Sequence, residues 1–352
     1  MAMIWAWSGC VNPPGVGLFP SGEIAVQDWN GDAPDNPGEQ PPQGWYYQEM
    51  DGTSCANGTP VGMGLNRGES ERDIVIYLSG GGACWDSTRC TYFQAAANLD
   101  TTYSAAHMGE ELYPLMEVGF FDRHNPINPW PDASYVYIPY CTADLHIGRR
   151  MMPYDGIRTG ELINHVGAYN LERYLEELPQ LFPDAERVWL VGISAGGYGI
   201  TWNFEHFQAA FPEVEMHVLT DASPWLPIAA ERWKHWQANW GVQMPTGCSR
   251  CVEEPDYMPE FLAKKHPEIR FATTVYSRDT VLSAYLGVLP RGVEAAVEQF
   301  VDKRYGHRNT RAFVVDGTDH EVLLGLDQGL QCQKGDFLVN FLHRWALGVG
   351  WE

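Results

Sequence analysis

The chain has 352 residues, 45% hydrophobic and 19% charged, which is enough apolar material for a large core and too little charge for a disordered polymer. Its formal net charge of -22 is spread along the chain, and the resulting negative field argues against nucleic acid or strongly anionic polymers as partners, leaving neutral or esterified ligands open. No apolar run of roughly 18 residues occurs, so no membrane-spanning helix is expected.

Eight cysteines are present. The cysteines, with Cys84 close to Cys90 and Cys248 close to Cys251, suit disulfides better than metal ligands, because no second Cys/His pair completes a tetrahedral zinc set around Cys248 and Cys251. Disulfides persist in oxidising compartments, so an exported protein is expected, secreted or held at the cell surface or in a periplasm. Residues 1–10 are apolar but lack a basic n-region and are short for a signal peptide. Trp7-Ser8-Gly9-Cys10 faintly resembles a lipoprotein cleavage site, which makes lipidation of Cys10 a minor expectation.

In chain order, residues 1–44 read as an irregular N-terminal arm, rich from residue 10 in Gly, Pro, Asn and Asp without periodicity. Residues 45–352 read as a single domain. A buried strand at 74–78 stops abruptly at Ser79-Gly80-Gly81-Gly82. A second strand at 135–139 runs into Tyr140-Cys141-Thr142-Ala143-Asp144, and an amphipathic helix is expected around 168–178. The strand at 187–191 leads into Gly192-Ile193-Ser194-Ala195-Gly196. A helix is expected at 198–211, and further strands at 216–219, 271–276 and 311–315. Strands alternating with helices specify an α/β fold of the α/β-hydrolase kind, a mostly parallel sheet covered on both faces.

Residues 224–267 hold Trp225, Trp233, Trp236, Trp240 and Tyr257 and are too long for an ordinary loop, so an aromatic-rich cap is expected there. The i, i+3, i+7 spacing of Trp233, Trp236 and Trp240 equally suits the buried stripe of an ordinary helix. No internal repeats or low-complexity tracts are found.

Gly-x-Ser-x-Gly alone is a weak pattern, which a glycine-rich turn also satisfies. Here it lies between a buried strand and a helix, the arrangement that strains and exposes a nucleophilic serine, so Ser194 is the candidate nucleophile. A serine hydroxyl needs a base, and in this fold the order is Ser, acid, His. His320, in the loop after the last strand, is the candidate. His206, His217, His235, His266, His307 and His343 fall mostly within expected helices or strands. Asp279, after the strand at 271–276, is preferred as the orienting acid to Asp221, which also suits a turn or helix cap, and to Asp319, which adjoins the histidine. The backbone N–H groups of the Gly80-Gly81-Gly82 loop, with that of Ala195, are the candidate oxyanion donors.

These segments together resemble the pectin acetylesterase/Notum family of α/β-hydrolases. The matching stretches are residues 51–60 (DGTSCANGTP), 77–84 (YLSGGGAC) with Cys90, 137–144 (YIPYCTAD) with Gly148, 192–197, Asp279, and His320-Glu321. The resemblance covers about residues 45–345. It implies a Ser194, Asp279, His320 triad, oxyanion donors at Gly81, Gly82 and Ala195, and disulfides Cys55–Cys141 and Cys84–Cys90. The pairing of Cys10, Cys248, Cys251 and Cys332 stays open, with Cys248–Cys251 one choice. The family usually has Glu where Ser79 stands and an aromatic residue near Ala83, so this chain has a smaller, less polar rim there.

The expectation is a serine carboxylic-ester hydrolase acting through an acyl-enzyme on acetyl or other short-chain esters of a polysaccharide or small molecule, as a monomer, with no metal or organic cofactor. A Notum-like lipid-ester deacylase is the alternative. A catalytically silent glycan-binding protein is the reading from another class.

Overall fold

The computed structural model describes residues 44–155 and 162–351. The expected arm at 1–44, apart from residue 44, and Cys10 with its proposed lipidation therefore lie outside the described residues.

Ten strands are described: β1 (Tyr46–Gln48), β2 (Met63–Asn66), β3 (Asp73–Leu78), β4 (Ser134–Ile138), β5 (Arg150–Pro153), β6 (Leu162–His165), β7 (Arg187–Ile193), β8 (Glu215–Asp221), β9 (Phe271–Tyr276) and β10 (Thr310–Val315). The helices are α1 (Ala105–Glu117), α2 (Gly167–Leu181), α3 (Ala195–Ala210), α4 (Ala230–Trp240), α5 (Met258–Lys265), α6 (Thr280–Leu286), α7 (Pro290–Arg304) and α8 (Leu338–Leu347). Eight strands form one sheet in the order β1-β2-β4-β3-β7-β8-β9-β10, and β5 and β6 make a separate hairpin. The pairings from β4 to β10 are all parallel, and only β1–β2 and β2–β4 are antiparallel.

The central strands are apolar throughout because both faces of the sheet are covered. Along β3, Ile74, Ile76 and Leu78 join one core cluster with residues of α2 and α3, while Val75 and Tyr77 join the other with residues of α1 and α8. Alternate side chains point to opposite faces, so one continuous apolar run serves two layers. On α2, Leu171, Tyr174, Leu175 and Leu178 are buried at helical spacing.

Two boundaries differ from expectation in ways that bear on the site. Helix α3 starts at Ala195 rather than 198, directly behind Ser194. Strand β8 extends to Asp221, so that residue closes the strand instead of following it. Strand order changes direction between β3 and β7: the chain adds β4 on one side of β3 and then β7 onward on the other. Such a switch leaves a crevice at the carboxyl ends of the strands, and the glycine loop after β3 and Ser194 after β7 flank it.

The insertion between β8 and β9 contains α4 and α5. Trp225, Trp233, Trp236 and Trp240 are all buried in the larger core cluster. Their rings pack on one another and on Trp202 and Trp85. The helical-stripe reading describes Trp233, Trp236 and Trp240, which are buried along one side of α4. The physical reason is that α4 has this one apolar side and the core is where it can be covered.

Candidate active site

The turn from β7 into α3 forces Ser194 to φ 50° and ψ -120°, a conformation that costs a non-glycine residue about 1–3 kcal/mol. The surroundings enforce it. A Cβ on Gly196 would lie 2.0 Å from the Leu78 carbonyl oxygen, and one on Gly192 would lie 2.5 Å from the Gly196 carbonyl carbon. Strand and helix can therefore cross this closely only through glycine. The backbone N–H of Ser194 donates to the Asp221 carbonyl at 2.8 Å, and the Ser223 hydroxyl donates to the Ser194 carbonyl at 2.7 Å.

His320 lies in the loop after β10, with Nε2 3.0 Å from Ser194 Oγ and Nδ1 2.6 Å from Asp279 Oδ2. Asp279 is fully buried and caps α6, its Oδ1 accepting the Leu282 N–H at 2.9 Å. One carboxylate thus fixes a helix with one oxygen and the imidazole with the other. With Nδ1 donating to the carboxylate, Nε2 presents its lone pair to the hydroxyl. Burial of the ring is the largest single influence on His320 and works to lower its pKa. The hydrogen bond and charge of Asp279, with the charges of Glu321 and Asp221, outweigh it and leave the pKa raised above 6.5.

The glycine loop is held from several sides. The Gly81 carbonyl accepts from the Ala97 N–H at 2.7 Å and the Gly82 carbonyl from the Tyr140 hydroxyl at 2.8 Å. The Ala83 N–H donates to the Tyr285 hydroxyl at 3.1 Å, and that hydroxyl donates to the Ala95 carbonyl. Because a trans peptide points its N–H away from its C=O, holding the Gly81 carbonyl toward Ala97 turns the Gly82 N–H the other way. No acceptor takes the N–H groups of Gly81, Gly82 or Ala195 among the described residues. Ala195 is the first residue of α3, where an N–H has no partner within the helix.

The Cys84–Cys90 disulfide closes the segment behind the loop, Cys55–Cys141 ties the β1–β2 region to the loop after β4, and Cys248–Cys251 closes a turn in the insertion. Cys332 is also disulfide-bonded.

The rival residues are placed elsewhere. Neither oxygen of Asp221 bonds to the imidazole; both engage Thr274, Val322 and Leu323. Asp319 is exposed. His217 is engaged with Glu215 and His343 with the Ile127 carbonyl. Sequence reasoning gave no role to Tyr140, Tyr285 and His146, which support the glycine loop. His146 Nε2 lies 3.0 Å from the Ser79 carbonyl, and burial lowers its pKa to about 4, keeping the ring neutral. Nothing local distinguishes these three residues, since each acts across a long sequence separation.

The mostly parallel sheet with helices on both faces has the α/β-hydrolase fold, with the candidate residues Ser194, Asp279 and His320 in the turns after β7, β9 and β10. Two crystal structures of the Wnt deacylase Notum from Drosophila share this fold. One has a TM-score of 0.60 at 19% identity, covering 86% of this chain and 93% of that one, and the other a TM-score of 0.56 at 19% identity, covering 79% and 86%. The family model for pectinacetylesterase matches residues 46–241, and the chain belongs to that family.

Among its curated relatives, palmitoleoyl-protein carboxylesterase NOTUM of Drosophila melanogaster is 25% identical over 248 residues, 63% of this chain and 35% of that protein. Palmitoleoyl-protein carboxylesterase notum1a of Danio rerio is 23% identical over 254 residues, 64% of this chain and 47% of that protein. The matched region thus spans between a third and a half of the length of these relatives.

Proposed function

We propose that the protein is a serine carboxylic-ester hydrolase, with acetyl or other short-chain esters of a neutral polysaccharide or small molecule as its substrates. The observation that carries this reading is the continuous hydrogen-bonded line from Ser194 Oγ through His320 to Asp279. His320 takes the hydroxyl proton as Ser194 attacks the ester carbonyl, and Asp279 holds and stabilises the resulting imidazolium. The N–H groups of Gly81, Gly82 and Ala195 receive the oxyanion, each worth about 3 kcal/mol when rigidly aimed. The imidazolium then returns its proton to the departing alkoxide, and water repeats the sequence on the acyl-enzyme. Every proton has a residue to hold it.

The preference for acetyl esters rests on the family's description, and the net charge of -22 favours neutral over de-esterified polymers. The disulfides support an oxidising location, secreted or at the cell surface. We treat residues 45–352 as one functional domain, with 224–267 as an insertion within it.

A second reading, cleavage of a long acyl group as the names of the Notum relatives state for those proteins, is favoured by one feature. Tyr92 and Phe93, which follow the glycine loop, are 68% and 67% exposed and stack edge to face. Such a pair offers apolar contact to a long chain. Measuring kcat/KM on p-nitrophenyl esters from acetate to palmitate separates the two. A maximum at acetate to butyrate is expected, and a maximum at long chains overturns the short-chain assignment. Equal hydrolysis of p-nitrophenyl acetate by wild type and Ser194→Ala removes the hydrolase reading altogether.

A further inference from the structure

The proposed relay leaves one buried acid beside it without a chemical task. Asp221 is fully buried at the end of β8. Its backbone carbonyl accepts the Ser194 N–H at 2.8 Å. Its side chain reaches the other way: Oδ1 accepts from the Thr274 hydroxyl at 2.6 Å and the Val322 N–H at 3.0 Å, while Oδ2 accepts the Leu323 N–H at 2.9 Å. We propose that Asp221 is a positioning residue that ties the nucleophile turn to the loop bearing His320 and thereby sets the distance between Ser194 and His320.

Topology shows why such a tie is needed. Ser194 follows β7 and His320 follows β10, with β8 and β9 between them in the sheet. The serine and the histidine are thus carried by separate loops across four strands, and their separation is the sum of several packing distances. Asp221 stands on β8 opposite Thr274 of β9 in the parallel register. From there it holds Ser194 on one side and the two residues next after His320-Glu321 on the other. Glu321 needs an external hold, because it sits at φ 64° and ψ 83°, where a non-glycine residue persists only if its surroundings over-determine it. Val322 and Leu323 open a short helical segment, Val322–Gln328, so their N–H groups have no partner inside it. The two oxygens of Asp221 satisfy both.

The groups facing this carboxylate are His320 and Glu321 on the loop after β10, Tyr77 from β3, Tyr276 and Thr274 from β9, with Asp279 beyond the imidazole. Burial raises the Asp221 carboxyl to about 7, against its hydrogen bonds to Thr274 and Leu323. Its charge is one of those that raise the pKa of His320.

The inference rests on the ester-hydrolase reading, and the test separates the two. Asp221→Asn keeps the shape but sets an amide N–H₂ against backbone donors. Thr274→Val removes only the hydroxyl that orients the carboxylate, and Thr274→Ser restores it. On p-nitrophenyl acetate, Asp221→Asn is expected to lower kcat ~10–100-fold with KM within about twofold, the signature of displaced reacting groups. Labelling of Ser194 by a fluorophosphonate should slow in parallel, and the acid limb of kcat/KM should move to lower pH. Thr274→Val should lower kcat about threefold, with Thr274→Ser near wild type.

Wild-type kcat, labelling rate and acid limb in both Asp221→Asn and Thr274→Val, whatever their melting temperatures, would overturn the proposal. Should Asp221→Asn fail to fold, unchanged kcat in Thr274→Val overturns it. An inactive wild type overturns the hydrolase reading itself, and the tie with it, whereas an active wild type with unaffected variants overturns the tie alone.

Discussion

The carboxyl edge of the sheet and the insertion between β8 and β9 are both conspicuous in sequence, one for its glycines and serine, the other for its tryptophans. They spend their residues in opposite ways. At the edge, Ser194 and Glu321 sit at positive φ, the N–H groups of Gly81, Gly82 and Ala195 find no protein acceptor among the described residues, and a histidine lies between two hydrogen-bonding partners. In the insertion, Trp233 and Trp240 are buried and donate their indole N–H groups to the Val252 and Cys84 carbonyls. At the edge, strained backbone and idle backbone donors coincide around one histidine, whereas the insertion covers its rings with one another and leaves Trp236 Nε1, alone among its tryptophans, buried without a partner among the described residues. The lesson is that an aromatic cluster points to core as readily as to ligand, while strained backbone with idle donors is the more specific sign of a site.

The comparison is broken most directly at the serine. Ser194→Ala should reduce kcat on p-nitrophenyl acetate by at least ~10⁴-fold, with the folded state intact by circular dichroism. Asp279→Asn should cost about 10³–10⁴-fold, since the amide turns the imidazole toward the wrong tautomer. That variant also tests whether capping α6 is separable from catalysis, because the amide oxygen can still accept from Leu282.

A smaller effect is expected from the support of the glycine loop. Replacing both Cys84 and Cys90 by Ala should lower kcat about 10–100-fold with little change in KM, because the donors remain but lose their fixed aim. Changing pH probes the relay in the intact protein. His320 must be neutral to accept the serine proton, and Asp279 raises its pKa. Activity should therefore be full above that raised value and fall about tenfold per unit as pH drops through it, with the midpoint of kcat/KM above 6.5. A midpoint below 6.5 would show that burial, not Asp279, governs the ring.

Trp233→Ala sharpens the contrast from the other side. It should destabilise the fold by about 3–5 kcal/mol in urea titration yet leave kcat/KM at 25 °C within about twofold. A large loss of kcat/KM with little loss of stability would return the insertion to the substrate.

Much of the candidate site's geometry was legible in the sequence because its turns are local. A buried strand running into Gly192-Ile193-Ser194-Ala195-Gly196, and another into Ser79-Gly80-Gly81-Gly82, are short-range patterns whose strand-turn geometry follows from sterics. The parallel sheet was legible for the same reason, since doubly covered strands are apolar without alternation. The three-residue β1 is too short to show a period, and α1 contains Pro114, which reads as a break.

Where sequence patterns were silent or ambiguous, the deciding distances cross the fold. His320 was separated from six other histidines by its place after a strand, but its 3.0 Å approach to Ser194 over 126 residues belongs to the sheet. Asp221 and Asp279 each lie at the carboxyl end of a strand, and both looked able to orient the base. The sequence preferred Asp279 for its place after the later strand, and the geometry behind that preference is tertiary: β8 ends at Asp221 and aims its carboxylate at Val322 and Leu323, leaving the imidazole to Asp279. The sequence by itself determined which residues could react, because reactivity needs particular atoms on particular turns. The tertiary structure decided which of them meet, because meeting is set by strand order and register, and neither is a local property of the chain.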